Sequence, residues 1–314
     1  MKILSLSGFI PEEICDTIRF IGYQGEEKIS HYCGYAADYI SQVLEDDSID
    51  GAVFPKSCDS CRIMGSYLSN CKEKFLYQFG VPARQDGAAE TYLAAEIQQY
   101  QKAVEGYYKV SITDIPQRIQ KVNERNKELI SLYENIENIS YKFYLKSIHD
   151  MLQKPLYEQT VLSELPDKPA NGKPIYLVGS FLSNTELAAT IENAGMKIVG
   201  DNLTESKRLF SGPKLDPSND IYMDIAAKIL HNHLSPTQNN FRCILKNDLE
   251  EIKYKNVQGV IFATQKYCEP YDYLFSIYKK MLDEQGIPVL QVVMSNSTDN
   301  RKLEFAVEAF ADIL

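Results

Sequence analysis

Cys58 and Cys61 form a C-x-x-C at the end of the run Asp50-Gly51-Ala52-Val53-Phe54-Pro55-Lys56-Ser57-Cys58-Asp59-Ser60-Cys61-Arg62, and Cys268 ends a run of similar build, Gly259-Val260-Ile261-Phe262-Ala263-Thr264-Gln265-Lys266-Tyr267-Cys268-Glu269-Pro270. A thiolate is at once a nucleophile, a redox centre and a soft metal ligand. Four readings of these cysteines are therefore open. A thioredoxin-like redox pair lacks its usual aromatic and proline context around Cys58. A structural zinc site asks for a closed set of ligands, usually two C-x-x-C units, whereas Cys33 and Cys268 arrive singly from separate elements. An iron–sulfur cluster needs thiolates converging from walls that limit water access, and cysteines at strand ends and helix starts suit it. The fourth reading leaves the thiols with no common task.

Each run must be held by a strand that ends in a helix. Gly51-Ala52-Val53-Phe54 is a short apolar block of the kind a buried parallel strand requires, and after Cys58 the apolar spacing changes to a helical period. The thiol thus sits where a strand's carboxyl end meets a helix amino end, the position at which open α/β sheets bind ligands. Two such positions, one in each half of the chain, predict two α/β domains whose strand ends face a shared site.

Along the chain, residues 2–7 read as a strand, and Pro11-Glu12-Glu13 reads as the start of a helix through Phe20. Cys15 on it is expected to be core. A helix is expected over 29–45, with Cys33 near its first turn, where a helix amino end stabilises thiolates. Lys74 to Phe79 is a third strand. Helical periodicity then runs over 90–108, 114–135 and 141–152, which predicts a helical layer between the sheet domains. Breaker-rich stretches at 154–155 and 166–174 mark a boundary. Beyond it come a strand at 175–178, a helix from Thr185 to Gly195, a strand at 197–199, a helix at 219–232, the Gly259 strand, a helix from Glu269 to Gly286, a strand at 288–293 and a terminal helix. Strands alternating with helices imply parallel sheets covered on both faces. The expected organisation is an α/β chain with a first α/β domain at 1–85, a helical connecting segment at 86–169 and a second α/β domain at 170–314.

The formal charge of -10 and pI near 5.1 argue against a nucleic-acid partner, since phosphate backbones are held by Lys/Arg clusters. No apolar run is long enough to span a membrane, and the amino terminus reads as a strand, not a signal peptide. The expected location is cytoplasmic. There, seven cysteines, an odd number, are reduced thiols or metal ligands and not disulfides. Cys71 and Cys243 have no partner motif and are expected to be structural. His231 and His233 fall at a helix end whose negative pole suits them on a solvated face. Lys266 and Tyr267 flank Cys268 and are candidates to line its pocket.

The runs Gly8-Phe9-Ile10-Pro11-Glu12-Glu13-Ile14, His31-Tyr32-Cys33-Gly34-Tyr35, Asp50 to Phe54 with Ser57-Cys58-Asp59-Ser60, and Ile261 to Tyr271 are similar to motifs of the 2-hydroxyacyl-CoA dehydratase and benzoyl-CoA reductase subunit family. Tyr176 to Ser180 and Ile198 to Leu203 match its middle motifs more loosely. The matches keep their order over nearly the whole chain. The resemblance implies two flavodoxin-like or Rossmann-like domains and a [4Fe-4S] cluster held by Cys33, Cys58 and Cys268. It also implies a lyase or reductase of anaerobic metabolism. There the cluster subunit pairs with a related subunit or a second copy and accepts an electron from an ATP-dependent activator. The electron passes to an acyl-CoA thioester as a ketyl radical. Three features depart from the pattern. The helical extension that the resemblance would place before the first strand is not expected here, Gly8-Phe9 and Asp201-Asn202-Leu203 lack cysteines found in many members, and Cys61 is extra. Cys61 is a candidate fourth ligand, which would make the chain an electron-transfer accessory, or a contributor to a larger, double-cubane-type cluster.

Overall fold

The computed structural model describes residues 2–6, 8–22, 29, 32–69, 73–158, 168–169, 171–183, 185–217, 220–232, 235–239, 241–295 and 300–314. His31, Cys71 and His233 lie outside these, as does part of the breaker-rich boundary. In the first half, the strands are β1 (Ile3–Ser5), β2 (Thr17–Arg19), β3 (Gly51–Pro55) and β4 (Phe75–Phe79), with helices α1 (Gly34–Glu45) and α2 (Asp59–Leu68). Three long helices follow: α3 (Gly87–Tyr108), α4 (Ile115–Glu134) and α5 (Tyr141–Leu152). The second half holds β5 (Lys173–Gly179), α6 (Glu186–Asn193), β6 (Met196–Asn202), α7 (Lys207–Phe210), α8 (Ile221–Asn232), α9 (Phe241–Tyr254), β7 (Gly259–Gln265), α10 (Glu269–Asp283), β8 (Val289–Met294) and α11 (Asn300–Ile313).

Among the described residues there are two four-stranded sheets, all parallel, ordered β2-β1-β3-β4 and β6-β5-β7-β8. The α/β reading with two parallel sheets is therefore the observed architecture. β3 and β7 are buried along their whole length, which is why they read as unbroken apolar runs. Burying a side chain such as Phe54, Val260 or Phe262 contributes about 1.5–3 kcal/mol each, enough to fix these strands at the sheet centres.

The helices begin and end where their signals stand. The Asp86 side chain accepts from the Ala89 N–H at 3.0 Å to open α3, and Ser140 accepts from the Phe143 N–H at 3.1 Å to open α5. Gly195 and Gly286, with φ of 78° and 69°, turn the chain after α6 and α10, a conformation side chains rarely adopt.

The expected helix over 11–20 does not form. Turns follow Pro11, and Thr17–Arg19 adds to β1 as a three-residue edge strand. Tertiary pairing overrides the local helix signal because Glu12 and Arg19 are drawn into buried ion pairs. Cys15 is core as expected, though in a turn.

The helical stretch does not form a separate layer. α3 packs on the first sheet and α5 on the second, each within that sheet's own core. α8 crosses back to the first half: Ile225, Ile229 and Leu230 join the core of Ile97 and Tyr100, and the Tyr222 hydroxyl donates to Gln101 Oε1 at 2.7 Å. No described helix is long and apolar enough to cross a membrane.

Candidate functional site

In both sheets the second strand in the chain lies to one side of the first strand and the later strands lie to the other. A crevice therefore opens at the carboxyl ends of β1 and β3, and again at those of β5 and β7. Cys58 is the last residue of the short link between β3 and α2, and Cys268 the last residue of the link between β7 and α10; each is the N-cap of its helix. Cys33 is the N-cap of α1. Two local features aim Cys268. Tyr267 before it holds φ of 64°, which costs about 1–3 kcal/mol in a non-glycine residue. Gly179 allows the close approach of β5 to β7, since a Cβ there would lie 1.9 Å from the Ala263 carbonyl oxygen.

The cysteines meet in thiol pairs. Cys33 hydrogen-bonds Cys268, and Cys58 hydrogen-bonds Cys61 in the first turn of α2. The bond from Cys268 lowers the Cys33 thiol, and that from Cys61 lowers Cys58 to about 7, while the donors Cys268 and Cys61 are pushed well above the usual range. Helix amino ends add to this. Backbone N–H groups of Tyr35 and Ala36 point at Cys33, those of Ser60 and Cys61 at Cys58, and that of Tyr271 at Cys268. Cys268 packs against the cores of both halves.

These four cysteines line one mostly apolar chamber of about 100 Å³ between the halves, walled by Leu6, Phe9, Tyr35, Pro55 and Phe181. Cys33, Cys58 and Cys268 also line a wider outer cleft of about 770 Å³, rimmed by Tyr32, Ile63, Tyr267 and Tyr273. The three thus stand at the boundary of the two spaces. Contacts across the halves close the chamber. The Gly34 N–H donates to the Lys266 carbonyl at 3.3 Å, and the Tyr35 and Phe181 rings lie 4.0 Å apart between centroids. Tyr267 faces the outer cleft as expected, and Lys266 lies over its ring at 4.9 Å.

Sequence spacing gave no sign of Arg208 or Thr204, which with Gln265 and Tyr271 of the Cys268 run supply the chamber's polar wall. Arg208 Nη2 donates to the Gly179 carbonyl at 2.9 Å and to the Tyr271 hydroxyl at 2.7 Å; Nε donates to the Leu203 carbonyl at 3.2 Å. Gln265 Nε2 donates to the Phe181 carbonyl at 2.8 Å.

Behind this wall a chain of buried charges joins the halves. Arg125 on α4 pairs with both oxygens of Glu12, Arg19 lies 3.9 Å from Glu12, and Arg19 lies 3.7 Å from Glu205. Among the described residues neither oxygen of Glu205 has a hydrogen-bond partner. Burial pushes its carboxyl up to about 7, against the pull of Arg19 and Arg208 and with the push of Glu12. A carboxyl raised above its ordinary 4.5 weakens the fold as pH climbs from 4.5 through 7, because the unfolded chain releases the proton first. Glu205→Gln is neutral at every pH. It is therefore expected to gain stability relative to the wild type between pH 5 and pH 8, by up to about 3 kcal/mol, measured as the difference in urea midpoints at the two pH values. An unchanged difference would show that Glu205 is ionised in the fold throughout.

The donor set fits a sulfur-ligated group: soft thiols at helix amino ends, on a wall that faces an apolar chamber. Among the described residues no group of three or more His, Cys, Asp or Glu side chains is arranged to hold a single metal ion. A cluster makes a different demand, since each thiolate binds an iron of its own. Cys15 is sealed in the first core, where burial pushes its thiol up to about 11. Cys243 lies on α9, away from the chamber's lining. His231 ends α8, where Nε2 lies 2.7 Å from Glu90 Oε1, on a half-exposed face.

Comparison with known proteins bears on the whole chain. The family model described as 2-hydroxyglutaryl-CoA dehydratase, D-component, matches residues 2–314. The chain is 25% identical to the (R)-phenyllactyl-CoA dehydratase beta subunit of Clostridium sporogenes, over 86% of this chain and 76% of that protein. It is 19% identical to the beta subunit of lactoyl-CoA dehydratase of Anaerotignum propionicum, over 98% of this chain and 90% of the relative. It is 24% identical to a benzoyl-CoA reductase subunit of Thauera aromatica, over 71% of this chain and 63% of the relative.

Proposed function

This chain belongs to the 2-hydroxyglutaryl-CoA dehydratase D-component family, and on that premise we propose that it is the iron–sulfur subunit of a dehydratase-like or benzoyl-CoA reductase-like enzyme that passes one low-potential electron to an acyl-CoA thioester. The observation that carries the reading is the meeting of Cys33, Cys58 and Cys268, three helix N-caps from two sheets, on the wall of one mostly apolar chamber. The relatives are each named as one subunit of an enzyme, and a related partner subunit, or a second copy, is proposed here on that basis, with an ATP-dependent activator as electron source.

Bound on this wall, a [4Fe-4S] cluster supplies a one-electron reductant and, at an iron without a fourth thiolate, a Lewis acid for a thioester carbonyl oxygen. The chain's own part is threefold. Its three N-cap thiols supply the ligands, each under backbone N–H groups that stabilise the thiolate. Leu6, Phe9, Tyr35 and Phe181 keep water from the chamber, which protects a one-electron-reduced organic group. Arg208 holds Tyr271 in the first turn after Cys268 and so fixes that wall. Anaerobic purification followed by iron and acid-labile sulfide analysis tests the reading; stoichiometric zinc without sulfide would replace it with a structural metal site.

Cys61 favours a second reading. Its thiol is buried, bonds Cys58 and lines the same chamber. As a fourth ligand it would close the cluster, alone or within a larger double-cubane-type cluster, and leave an electron-transfer accessory without a substrate. Cys61→Ser separates the two. An unchanged cluster absorption and paramagnetic-resonance spectrum is expected for the open-site enzyme, and loss or conversion of the cluster for the accessory.

A further inference from the structure

We infer that the chamber behind the cysteine wall takes a short, uncharged acyl group, and excludes both a carboxylate-bearing and an aromatic one; this rests on the acyl-CoA reading above. Charge comes first. Among the described lining residues Arg208 is the one ionic side chain, and its Nε and Nη2 donors are already committed to the Gly179 and Leu203 carbonyls and the Tyr271 hydroxyl. Glu205 lies behind it, close enough for the two charges to attract, so part of that charge is drawn away from the chamber.

The polar groups beside Arg208 are committed as well. The Thr204 hydroxyl bonds the Tyr271 hydroxyl at 3.0 Å, Ser180 Oγ accepts from the Gln265 N–H at 3.3 Å, and Gln265 Nε2 serves the Phe181 carbonyl. Among the described residues, a second carboxylate on the acyl chain would enter an apolar space whose one cation already donates to protein oxygens, and a buried charge without a full partner is strongly disfavoured. The outer cleft offers no remedy, since among the described residues its charged lining is Asp59, Glu269 and Asp272.

Size sets the second limit. The chamber holds about 100 Å³, whereas a cavity that accepts benzene measures about 150 Å³. Anything held on the thiol wall reduces the room further. An acyl group of a few carbons fits, and a benzyl side chain does not.

The test measures equilibrium binding of free CoA, lactoyl-CoA, 2-hydroxyglutaryl-CoA and phenyllactyl-CoA to the anaerobically purified protein by calorimetry, with iron and sulfide content determined on the same sample. Lactoyl-CoA is expected to bind at least tenfold more tightly than either of the other thioesters. Phe9→Ala, which widens the chamber, is expected to raise the affinity for phenyllactyl-CoA at least tenfold while leaving that for 2-hydroxyglutaryl-CoA within threefold of its wild-type value. Equal or tighter wild-type binding of 2-hydroxyglutaryl-CoA or phenyllactyl-CoA would overturn the inference and leave the acyl-CoA reading intact. Binding of every thioester no tighter than free CoA would overturn both, and the iron and sulfide content would then decide whether the cluster assignment survives alone.

Discussion

Cys268→Ser protein, reconstituted anaerobically, is expected to retain less than about a tenth of the wild-type iron and acid-labile sulfide while its apo form unfolds within about 1 kcal/mol of the wild type. Cys268 is the thiol that the second half brings to the shared wall, at the end of β7, and it packs against the cores of both halves. Serine keeps the N-cap geometry but replaces a soft sulfur donor with a hard hydroxyl that stays protonated at neutral pH. Stability should therefore change little while ligation is lost. Cys33→Ser and Cys58→Ser are expected to behave alike. Cys15→Ser and Cys243→Ser should keep the cluster, because the first is sealed in a core and the second lies outside the chamber's lining. A full complement of iron and sulfide in Cys268→Ser would remove the two-half ligand set from consideration.

Much of this site was legible because its signal is repeated. The same apolar block ends in a cysteine at Cys58 and at Cys268, and a parallel strand has few ways to continue except into a helix whose amino end faces the sheet's carboxyl edge. The three long helices were legible for a different reason. Their apolar spacing persists for several turns, and local capping at Asp86 and Ser140 agrees with it.

What the sequence hid depends on partners distant in the chain. Pro11-Glu12-Glu13 carries a sound local helix start, yet Glu12 meets Arg125, more than a hundred residues away, and the segment becomes turns and an edge strand. Arg208 shows no spacing pattern at all; its place in the polar wall follows from three carbonyls that converge only once β5 and β6 are paired. α8 was legible as a helix, but not as one that returns to the first half. Its apolar face fits either sheet, and the choice is made by packing on α3.

Arg125→Met is expected to destabilise the protein by about 3–5 kcal/mol at pH 7, because it strands a buried carboxylate. Burial alone would raise the Glu12 carboxyl, but the Arg125 charge and its hydrogen bonds, with Arg19 and Lys228 beyond, hold it at about 2. A carboxyl held below its ordinary 4.5 stabilises the fold fully above that pH, and the contribution is lost as pH falls from 4.5 through 2. Without Arg125 that contribution is gone, so the deficit of the variant should be largest near neutrality and should shrink as both proteins are taken below about pH 4. Urea titration at pH 7 and pH 3 reads this directly. A deficit of equal size at both would mean that lost packing of the arginine stem, and not its charge, is responsible. The chain Arg125–Glu12–Arg19–Glu205 joins α4, the turns before β2, β2 itself and the loop before α7. Those elements are among the ones that hold the half carrying Cys33 and Cys58 against the half carrying Cys268. Folded Arg125→Met protein at pH 7 should therefore also release its iron to a chelator faster than the wild type, while a double Arg125→Met, Glu12→Leu variant, with no stranded charge, should recover most of the lost stability.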